Sequence, residues 1–353
     1  MGHVGTADDG AEGGFGSIEE IRILATLLLV ALHVVGYPDG GLRLAHPHPL
    51  RFVADLLGNF RMPAFAFVAG YIYCLRPPTQ DSFGAFMLGK LRRLAIPGAI
   101  AALIFALVSS AMHLHFALPP EALWEPLVYP YAHFWFLQAI LVLFVVIGGA
   151  DVAMQQRGAL LLFVITTMVA AGQPSLPTLF SLDNAAELAP FFTCGMCFYR
   201  YRKWLRAHAG LITIIAAAAS LATVSIATID YLLHAAPAPR KDVIHSMALG
   251  MSLCALILLH WPHHPSARKL GMFCFTIYLY HVFGTAAARM ALHAMGITSL
   301  IVHVPLGLAM GLLVPIALHL ALAPWPLPAQ LVLGLRRRTP IPAPAPITMP
   351  STM

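Results

Sequence analysis

Residues 21–36 read IRILATLLLVALHVVG, an apolar stretch with an arginine near its start and a histidine near its end. Arg22 and His33 are close to three helical turns apart, so both side chains point from the same face of a helix. An ionisable residue inside a membrane span indicates function by default, because lipid burial costs several kcal/mol. Each residue also has a structural alternative. Arg22 would extend its guanidinium to the lipid headgroups, and His33 would be a hydrogen-bonded residue of the helix packing. We expect the pair to share a cavity rather than to face lipid.

The composition indicates a membrane protein. Of the 353 residues, 59% are hydrophobic and 10% are charged, whereas a soluble domain is about 25% charged. The long uninterrupted apolar runs predict helices and not the alternating pattern of a β-barrel. We expect an all-α polytopic helical membrane protein, with about ten transmembrane helices around a buried polar cavity.

Ten apolar segments are long enough to be candidate spans. Their approximate bounds are 20–37, 53–75, 94–113, 133–149, 159–171, 188–201, 211–229, 243–260, 272–290 and 300–323. With these spans most loop arginines and lysines lie on the side of the N-terminus, which indicates that both termini are cytoplasmic. The membrane domain is expected at 19–325, between a disordered N-terminal tail at 1–18 and a disordered Pro-rich tail at 326–353.

A second intramembrane arginine lies in the sequence FRMP at residues 60–63. The proline is expected to kink its helix, and Arg61 is either a functional cation or an interfacial anchor. Acidic residues are expected almost entirely in loops and tails. This distribution argues against a proton-coupled transporter, which usually has buried carboxylates in its spans.

No motif for a metal or a tightly bound cofactor stands out. Cys194 and Cys197 have redox or metal spacing but lack a second ligand pair, so packing is the favoured interpretation. His46 and His48 lie in a loop without an evident third ligand, and the chain has no Gly-rich phosphate loop, HExxH or EF-hand motif. We expect no metal. The net charge of +6 is assigned to loops on one side of the membrane, so no nucleic-acid partner is expected.

Five motifs, in this order, resemble those of the acyltransferase-3 family of bacterial membrane O-acyltransferases, which acylate cell-surface and exported glycans. They are the Arg22–His33 pair, FRMPAFAFVAGYIY at 60–73, KLRRLAIP at 90–97, HFWFL at 133–137 and FTIYLYH at 275–281. The resemblance covers about residues 18–325, with Ala69 where many members have serine. We expect no hydrolase-like domain after the last span. The membrane domain is therefore expected either to complete the transfer or to pass the acyl group to a separate protein.

The resemblance implies an acyl-CoA-dependent O-acyltransferase of the bacterial inner membrane. The co-substrate would be cytoplasmic acyl-CoA, as acetyl-CoA or succinyl-CoA, and the acceptor a glycan hydroxyl. A hydroxyl needs a general base to remove its proton, and an imidazole suits that task. His33 is the candidate, either as the base or as a relay that carries the acyl group.

The remaining candidate residues are cationic or aromatic. Guanidinium groups bind phosphate bidentately, so the CoA phosphates are expected at Arg22 together with Lys90, Arg92 and Arg93. The candidates for acceptor binding or oxyanion stabilisation are Arg61, Tyr71, Trp135 and His281. The alternative role for Tyr280 and His281 is helix packing without any contact to substrate.

Two other classes of function compete with the enzyme. A transporter or flippase for lipid-linked sugars or small solutes would use Arg22, His33 and Arg61 to line its path. A passive scaffold protein would leave these three residues without a reason. The identity of the acyl group and the acceptor, and the oligomeric state, do not follow from the sequence.

Overall fold

The computed structural model describes residues 18–36, 40–235, 243–262 and 264–335. Throughout these residues the chain forms helices and connecting loops, with no β-strand. The predicted all-α class is confirmed. Residues 1–17, where the N-terminal tail is predicted, lie outside the described part of the chain, and so do residues 336–353.

The described residues contain sixteen α-helices. They are α1 (Ile18–Val35), α2 (Pro49–Leu56), α3 (Gly58–Leu75), α4 (Phe83–Lys90), α5 (Ile96–Ala111), α6 (Trp135–Ala153), α7 (Ala159–Gly172), α8 (Leu182–Arg200), α9 (Arg202–Ala207), α10 (Ala209–His234), α11 (Val243–Ser246), α12 (Ser252–His260), α13 (Pro265–Gly271), α14 (Cys274–Ala294), α15 (Leu300–Leu322) and α16 (Pro326–Leu331). Two π-helical segments, Leu91–Ala95 and Met247–Met251, connect α4 to α5 and α11 to α12 without a break. Short 3₁₀ turns lie at Pro120–Ala122, Glu125–Leu127 and Leu179–Ser181.

Each of the ten predicted apolar segments falls on a helix or on a continuous helical stretch. Five of the described helical stretches are long and apolar enough to cross a membrane: Pro49–Leu75, Phe83–Ala111, Trp135–Ala153, Ala209–His234 and Leu300–Leu322. Two further apolar helices, Ala159–Gly172 and Ile244–His260, are shorter. The count of ten spans therefore stays a prediction.

Glycines bring α3 and α8 into backbone contact. A Cβ atom at Gly70 would lie 1.9 Å from the carbonyl oxygen of Phe192, and one at Gly195 would lie 2.1 Å from that of Phe67. Only a residue without a side chain fits at either position, an arrangement typical of tightly packed membrane helices. α1 packs against α3, α14 and α15, so its histidine lies inside the bundle.

Buried carboxylates correct the expectation that the acids lie in loops and tails. Asp151 lies near the end of α6 and is fully buried. Its two carboxylate oxygens accept hydrogen bonds from Arg200 Nη1 at 2.6 Å and Nη2 at 2.7 Å, and the Tyr73 hydroxyl donates to Oδ2 at 3.0 Å. Asp55 and Glu20 are buried as well. A buried charge is tolerated only when it is paired, and the partner of Asp151 comes from a distant helix.

The structure also corrects the start of the predicted C-terminal tail. Residues 326–331 form α16, and Ala329 and Leu333 are buried. The Tyr280 hydroxyl donates to the carbonyl oxygen of Val332 at 3.2 Å. Residues 326–335 therefore belong to the folded domain.

Candidate functional site

A cavity of about 620 Å³ lies beside the second half of α1. Its wall comes from α1, α2, α3, α5, α6, α8, α11 and α14 and from the loops before α2 and α6. Most of the lining is apolar. The polar and aromatic side chains that line it include His33, Asp55, Asn59, Arg61, His115, His133, Trp135, Glu187 and Ser246. The cavity therefore combines an apolar wall with a few hydrogen-bonding groups, which is typical of a small-molecule site.

The helix backbone sets the orientation of the His33 ring. Nδ1 lies 2.9 Å from the carbonyl oxygen of Leu29, one turn earlier in α1. A carbonyl oxygen can only accept, so Nδ1 carries the hydrogen and Nε2 keeps its lone pair. His33 is partly exposed, and its ring lines the cavity. This tautomer leaves Nε2 able to accept a proton.

Two further imidazoles pack against His33. The ring centroid of His33 lies 4.7 Å from that of His281 and 5.7 Å from that of His133, and the latter two are 5.0 Å apart. We call these three residues the imidazole cluster. His133 lines the cavity, whereas His281 lies behind the wall and is fully buried.

His281 leaves one polar atom unsatisfied. Its Nδ1 lies 2.8 Å from the carbonyl oxygen of Ile277 and therefore carries the hydrogen. Its Nε2 is buried and has no hydrogen-bond partner within the described residues. A buried polar atom without a partner costs free energy, and such atoms are rare unless they serve a function.

Arg61 lines the same cavity from α3 and is 7% exposed. Its Nε is buried without a hydrogen-bond partner in the part of the chain that the structure describes. Met62 and Pro63, the next two residues of the FRMP sequence, also line the cavity. The guanidinium therefore has an unused donor beside the space where a ligand would sit.

The other two acceptor or oxyanion candidates lie apart from each other. Trp135, the first residue of α6, lines the cavity. Tyr71 does not, and its ring instead packs edge-on against that of Tyr199, with centroids 5.3 Å apart. Tyr71 is ten residues beyond Arg61 in the same helix, a rise of about 15 Å, so the two side chains lie at different depths.

Arg22 does not line the cavity that contains His33. Its Nη2 donates to the carbonyl oxygen of Gly271 at 2.8 Å and also pairs with Glu19. The axial rise from Arg22 to His33 is about 16 Å, which places the arginine near the opposite end of α1. The expected shared cavity is therefore not seen.

The three basic residues expected to bind the donor lie on the continuous helix Phe83–Ala111, away from the cavity wall. Lys90 Nζ is 3.8 Å from the ring centroid of Phe144, within the range of a cation–π contact. Arg93 Nε donates to the carbonyl oxygen of Gly89 at 2.9 Å, and Arg92 is exposed. Their role in donor binding stays a prediction.

His133 is the site residue that the sequence interpretation missed. It opens the HFWFL motif, and its ring nitrogen Nε2 lies 3.4 Å from the carbonyl oxygen of Leu279. The Tyr278 hydroxyl donates to the His133 carbonyl oxygen, which ties this loop to α14. The signals in the sequence are its place at the start of that motif and its position as an ionisable residue beside an apolar segment.

A buried ion pair supports the cavity wall near α2. Asp55 lines the cavity, and its Oδ2 accepts from Arg51 Nε at 2.9 Å and lies 3.0 Å from His46 Nε2. His46, a weak metal candidate in the sequence, contacts a carboxylate here. Among the described residues, no group of three or more His, Cys, Asp or Glu side chains is placed to hold a metal ion.

Comparison with known proteins identifies the family of the chain. The model of the acyltransferase-3 family, described as an acyltransferase domain, matches residues 15–320, which is most of the 353-residue chain. No curated protein and no solved structure matches the chain.

Proposed function

The chain belongs to the acyltransferase-3 family of membrane acyltransferases, and on that premise we propose that it moves an acyl group from cytoplasmic acyl-CoA to a glycan hydroxyl. The acyl group is acetyl or succinyl, and the acceptor is a cell-surface or exported glycan. The enzyme acts in the bacterial inner membrane with both termini in the cytoplasm, as the distribution of basic loop residues favours.

The observation that carries this proposal is the orientation of His33 on the cavity wall. With Nδ1 held by the Leu29 carbonyl at 2.9 Å, Nε2 is the nitrogen available as a base. The acceptor oxygen bonds to the thioester carbonyl carbon while its proton passes to Nε2. The C–S bond then breaks, and the departing CoA thiolate takes the proton back. In the alternative course Nε2 attacks the thioester carbonyl carbon, and the C–S bond breaks to release CoA thiolate. The acceptor oxygen then bonds to the acyl carbon as the C–N bond breaks, and the hydroxyl proton passes by way of Nε2 to the thiolate.

Arg61 is the proposed oxyanion group. Attack on the thioester places negative charge on the carbonyl oxygen, and a buried donor stabilises that charge more than water does. Its unpartnered Nε and its position in the cavity wall beside Met62 support this role. Trp135 is proposed to contact the acceptor. His281 acts through the His33 ring rather than on substrate, and Tyr71 is the least supported of the predicted contacts because it lies outside the cavity.

The donor site is proposed at Arg22, Lys90, Arg92 and Arg93, where guanidinium and ammonium groups would hold the CoA phosphates. With a cytoplasmic N-terminus, α1 carries Arg22 toward the cytoplasm and His33 toward the other side. The pantetheine arm would then cross the rise of about 16 Å between them. The present contacts of Arg22 with Glu19 and Gly271 would be exchanged for phosphate.

The alternative function is a transporter or flippase for lipid-linked sugars or small solutes. The sequence argued against a transporter because its acidic residues were expected outside the spans. That argument is weaker now, because Asp151 and Asp55 are buried. Both carboxylates are ion-paired, however, Asp151 with Arg200 and Asp55 with Arg51. The family match favours the enzyme.

The test compares surface and exported glycans from a deletion strain and its parent by mass spectrometry. The parent glycan should carry an acyl mass increment that the deletion removes, and that increment identifies both acyl group and acceptor. The wild-type gene should restore the increment, whereas His33→Ala should not. His319→Ala is the matched control, because His319 is buried in α15 away from the cavity and bonds to Thr276 at 2.8 Å. Restoration by His33→Ala at normal protein level would contradict the assignment.

A further inference from the structure

A second cavity, of about 590 Å³, opens on the side of the protein between α7 and α10. Its walls are Leu160 and Phe163 from α7 and three residues of α10, and its floor comes from α8 and α12. We call this cavity the lateral groove. The full lining is Leu160, Phe163, Cys194, Cys197, Phe198, Tyr201, Trp204, Leu205, Ile212, Ile215, Ala216, Met251, Ser252 and Ala255.

The lateral groove is apolar and open toward the outside of the helix bundle. Apart from Ser252, every lining side chain is aliphatic, aromatic or a sulfur-containing residue. The rim residues Leu160 and Ile215 are 56% and 59% exposed. In a membrane protein an apolar surface between two helices faces hydrocarbon, so a flexible acyl chain is the ligand of matching chemistry.

Positive charge lies at one end of the groove. The short helix α9 turns its residues Trp204 and Leu205 toward the groove, together with Tyr201 just before it. The same helix carries Arg202, Lys203 and Arg206, at positions that do not line the groove. A cation cluster beside an apolar cleft between transmembrane helices is the chemistry that binds an anionic lipid headgroup.

Two further observations favour a lipid over other occupants. Tyr201 and Trp204 are 40% and 57% exposed, and such aromatic residues are enriched at the depth of the lipid headgroups. Arg200 binds the Asp151 carboxylate through both terminal nitrogens, whereas Arg202 donates to the Tyr199 carbonyl oxygen at 3.1 Å and lies over the Tyr199 ring. Helix α9 carries three basic residues and no acidic residue, a charge that an anionic headgroup complements.

We propose that the lateral groove binds one acyl chain of an anionic phospholipid, whose phosphate contacts Arg202, Lys203 and Arg206. The site is separate from the cavity that contains His33, since the two share no lining residue. It does not depend on the proposed reaction.

Native mass spectrometry of the purified full-length protein tests the site. The protein is stripped of lipid in detergent and then titrated with dioleoyl phosphatidylglycerol, dioleoyl phosphatidylcholine or glycerol 3-phosphate. The first lipid should remain bound with one tight equivalent. The zwitterionic lipid should bind about ten-fold more weakly or worse, because it has no net negative charge for the cluster to attract. Glycerol 3-phosphate should not compete, because it has no acyl chain.

Two variants separate the chain-binding and headgroup-binding parts of the site. Ile215→Trp fills the groove from its exposed rim, and Ile214→Trp is the matched control because Ile214 is 68% exposed and does not line the groove. The triple change Arg202→Gln, Lys203→Gln and Arg206→Gln removes the charge, and Arg76→Gln in the loop after α3 is its control. Both test variants should lose the tight equivalent, and both controls should keep it.

Three results would each overturn the proposal. They are equal retention of the two phospholipids, competition by glycerol 3-phosphate at the same concentration, and an unchanged tight equivalent in Ile215→Trp. The first would indicate a non-selective lipid annulus, and the second a phosphate site without a chain. Thermal melts of all four variants verify folding. Because Ile215 lies on the exposed rim, the comparison of Ile215→Trp with Ile214→Trp tests the site even if the triple variant is unstable.

Discussion

The imidazole rings of His33 and His281 lie 4.7 Å apart with their planes at 75°, although they come from opposite ends of the chain. Both rings bond through Nδ1 to a carbonyl oxygen one turn earlier in their own helix, at 2.9 Å and 2.8 Å. Each therefore keeps Nε2 as an acceptor. The contact places the proposed base against a second imidazole that lies behind the cavity wall.

This contact predicts that His281→Asn lowers kcat while leaving the KM for acyl-CoA within about two-fold, because the change loosens the His33 ring without touching the donor. A loss of about ten-fold in kcat is expected for a positioning residue. CoA release by the purified protein measures both constants. His303→Asn, at a buried histidine outside the cluster, should leave kcat unchanged. A rise in KM alone would instead assign His281 to substrate binding.

The position of Arg61 predicts a change in kcat as well. Arg61→Gln should lower kcat about 10²-fold or more, the typical cost of losing an oxyanion donor. Arg61→Lys should recover only part of the rate, because lysine keeps the charge but not the planar fork of donors. Steady-state kinetics with saturating acceptor distinguish the two variants. Equal activity of Arg61→Gln and wild type would exclude the oxyanion role.

The proposed donor site predicts the opposite kinetic pattern. The double change Arg92→Ala and Arg93→Ala should raise the KM for acyl-CoA more than it lowers kcat, because phosphate contacts bind substrate and transition state alike. Arg76→Ala removes an exposed arginine that follows α3 and is the control. Inhibition by free CoA gives an independent measure of donor-head binding. If neither KM nor inhibition changes, the CoA head binds elsewhere.

Close packing of α3 and α8 predicts a stability effect at Gly195. A Cβ there would lie 2.1 Å from the Phe67 carbonyl oxygen, so Gly195→Ala should destabilise the protein by about 1–3 kcal/mol through overpacking. Gly84→Ala is the matched control, since nothing lies within 4 Å of its Cβ position in α4. Thermal unfolding in detergent compares the two. A melting temperature for Gly195→Ala equal to that of Gly84→Ala would show that the helices can separate freely.

The ion pair between Asp151 and Arg200 predicts a larger effect. Asp151→Asn breaks an ion pair whose carboxylate is fully buried and leaves the partly buried Arg200 without its counter-charge, and loss of one partner of a buried pair typically costs about 3–5 kcal/mol. Asp230→Asn breaks the contact with His234, whose side chain is 69% exposed, and surface changes of this kind usually stay within about 0.5 kcal/mol. The same thermal assay applies. A loss of solute uptake with normal stability and normal acyl transfer would instead revive the transporter alternative.

Local pattern was enough to find the long apolar helices. An apolar run of the right length indicates a helix wherever it occurs, and the ten predicted segments fall on helical stretches of the described residues, whereas short helices such as α9 and α16 were not predicted. The predicted start of the C-terminal tail at residue 326 was wrong. Composition gave no sign of the hydrogen bond from the Tyr280 hydroxyl to the Val332 carbonyl oxygen, because these two groups meet only after folding.

An ionisable residue inside an apolar run was the pattern that identified His33 and Arg61, and both line the cavity. That pattern could not tell that Arg22 bonds to the Gly271 carbonyl, that Asp151 is neutralised by Arg200, or that His133 joins His33 and His281. Helical periodicity relates residues within a few turns of one element, whereas these contacts join elements far apart in the chain. Their geometry depends on how the helices pack against one another, and only the folded bundle contains that information.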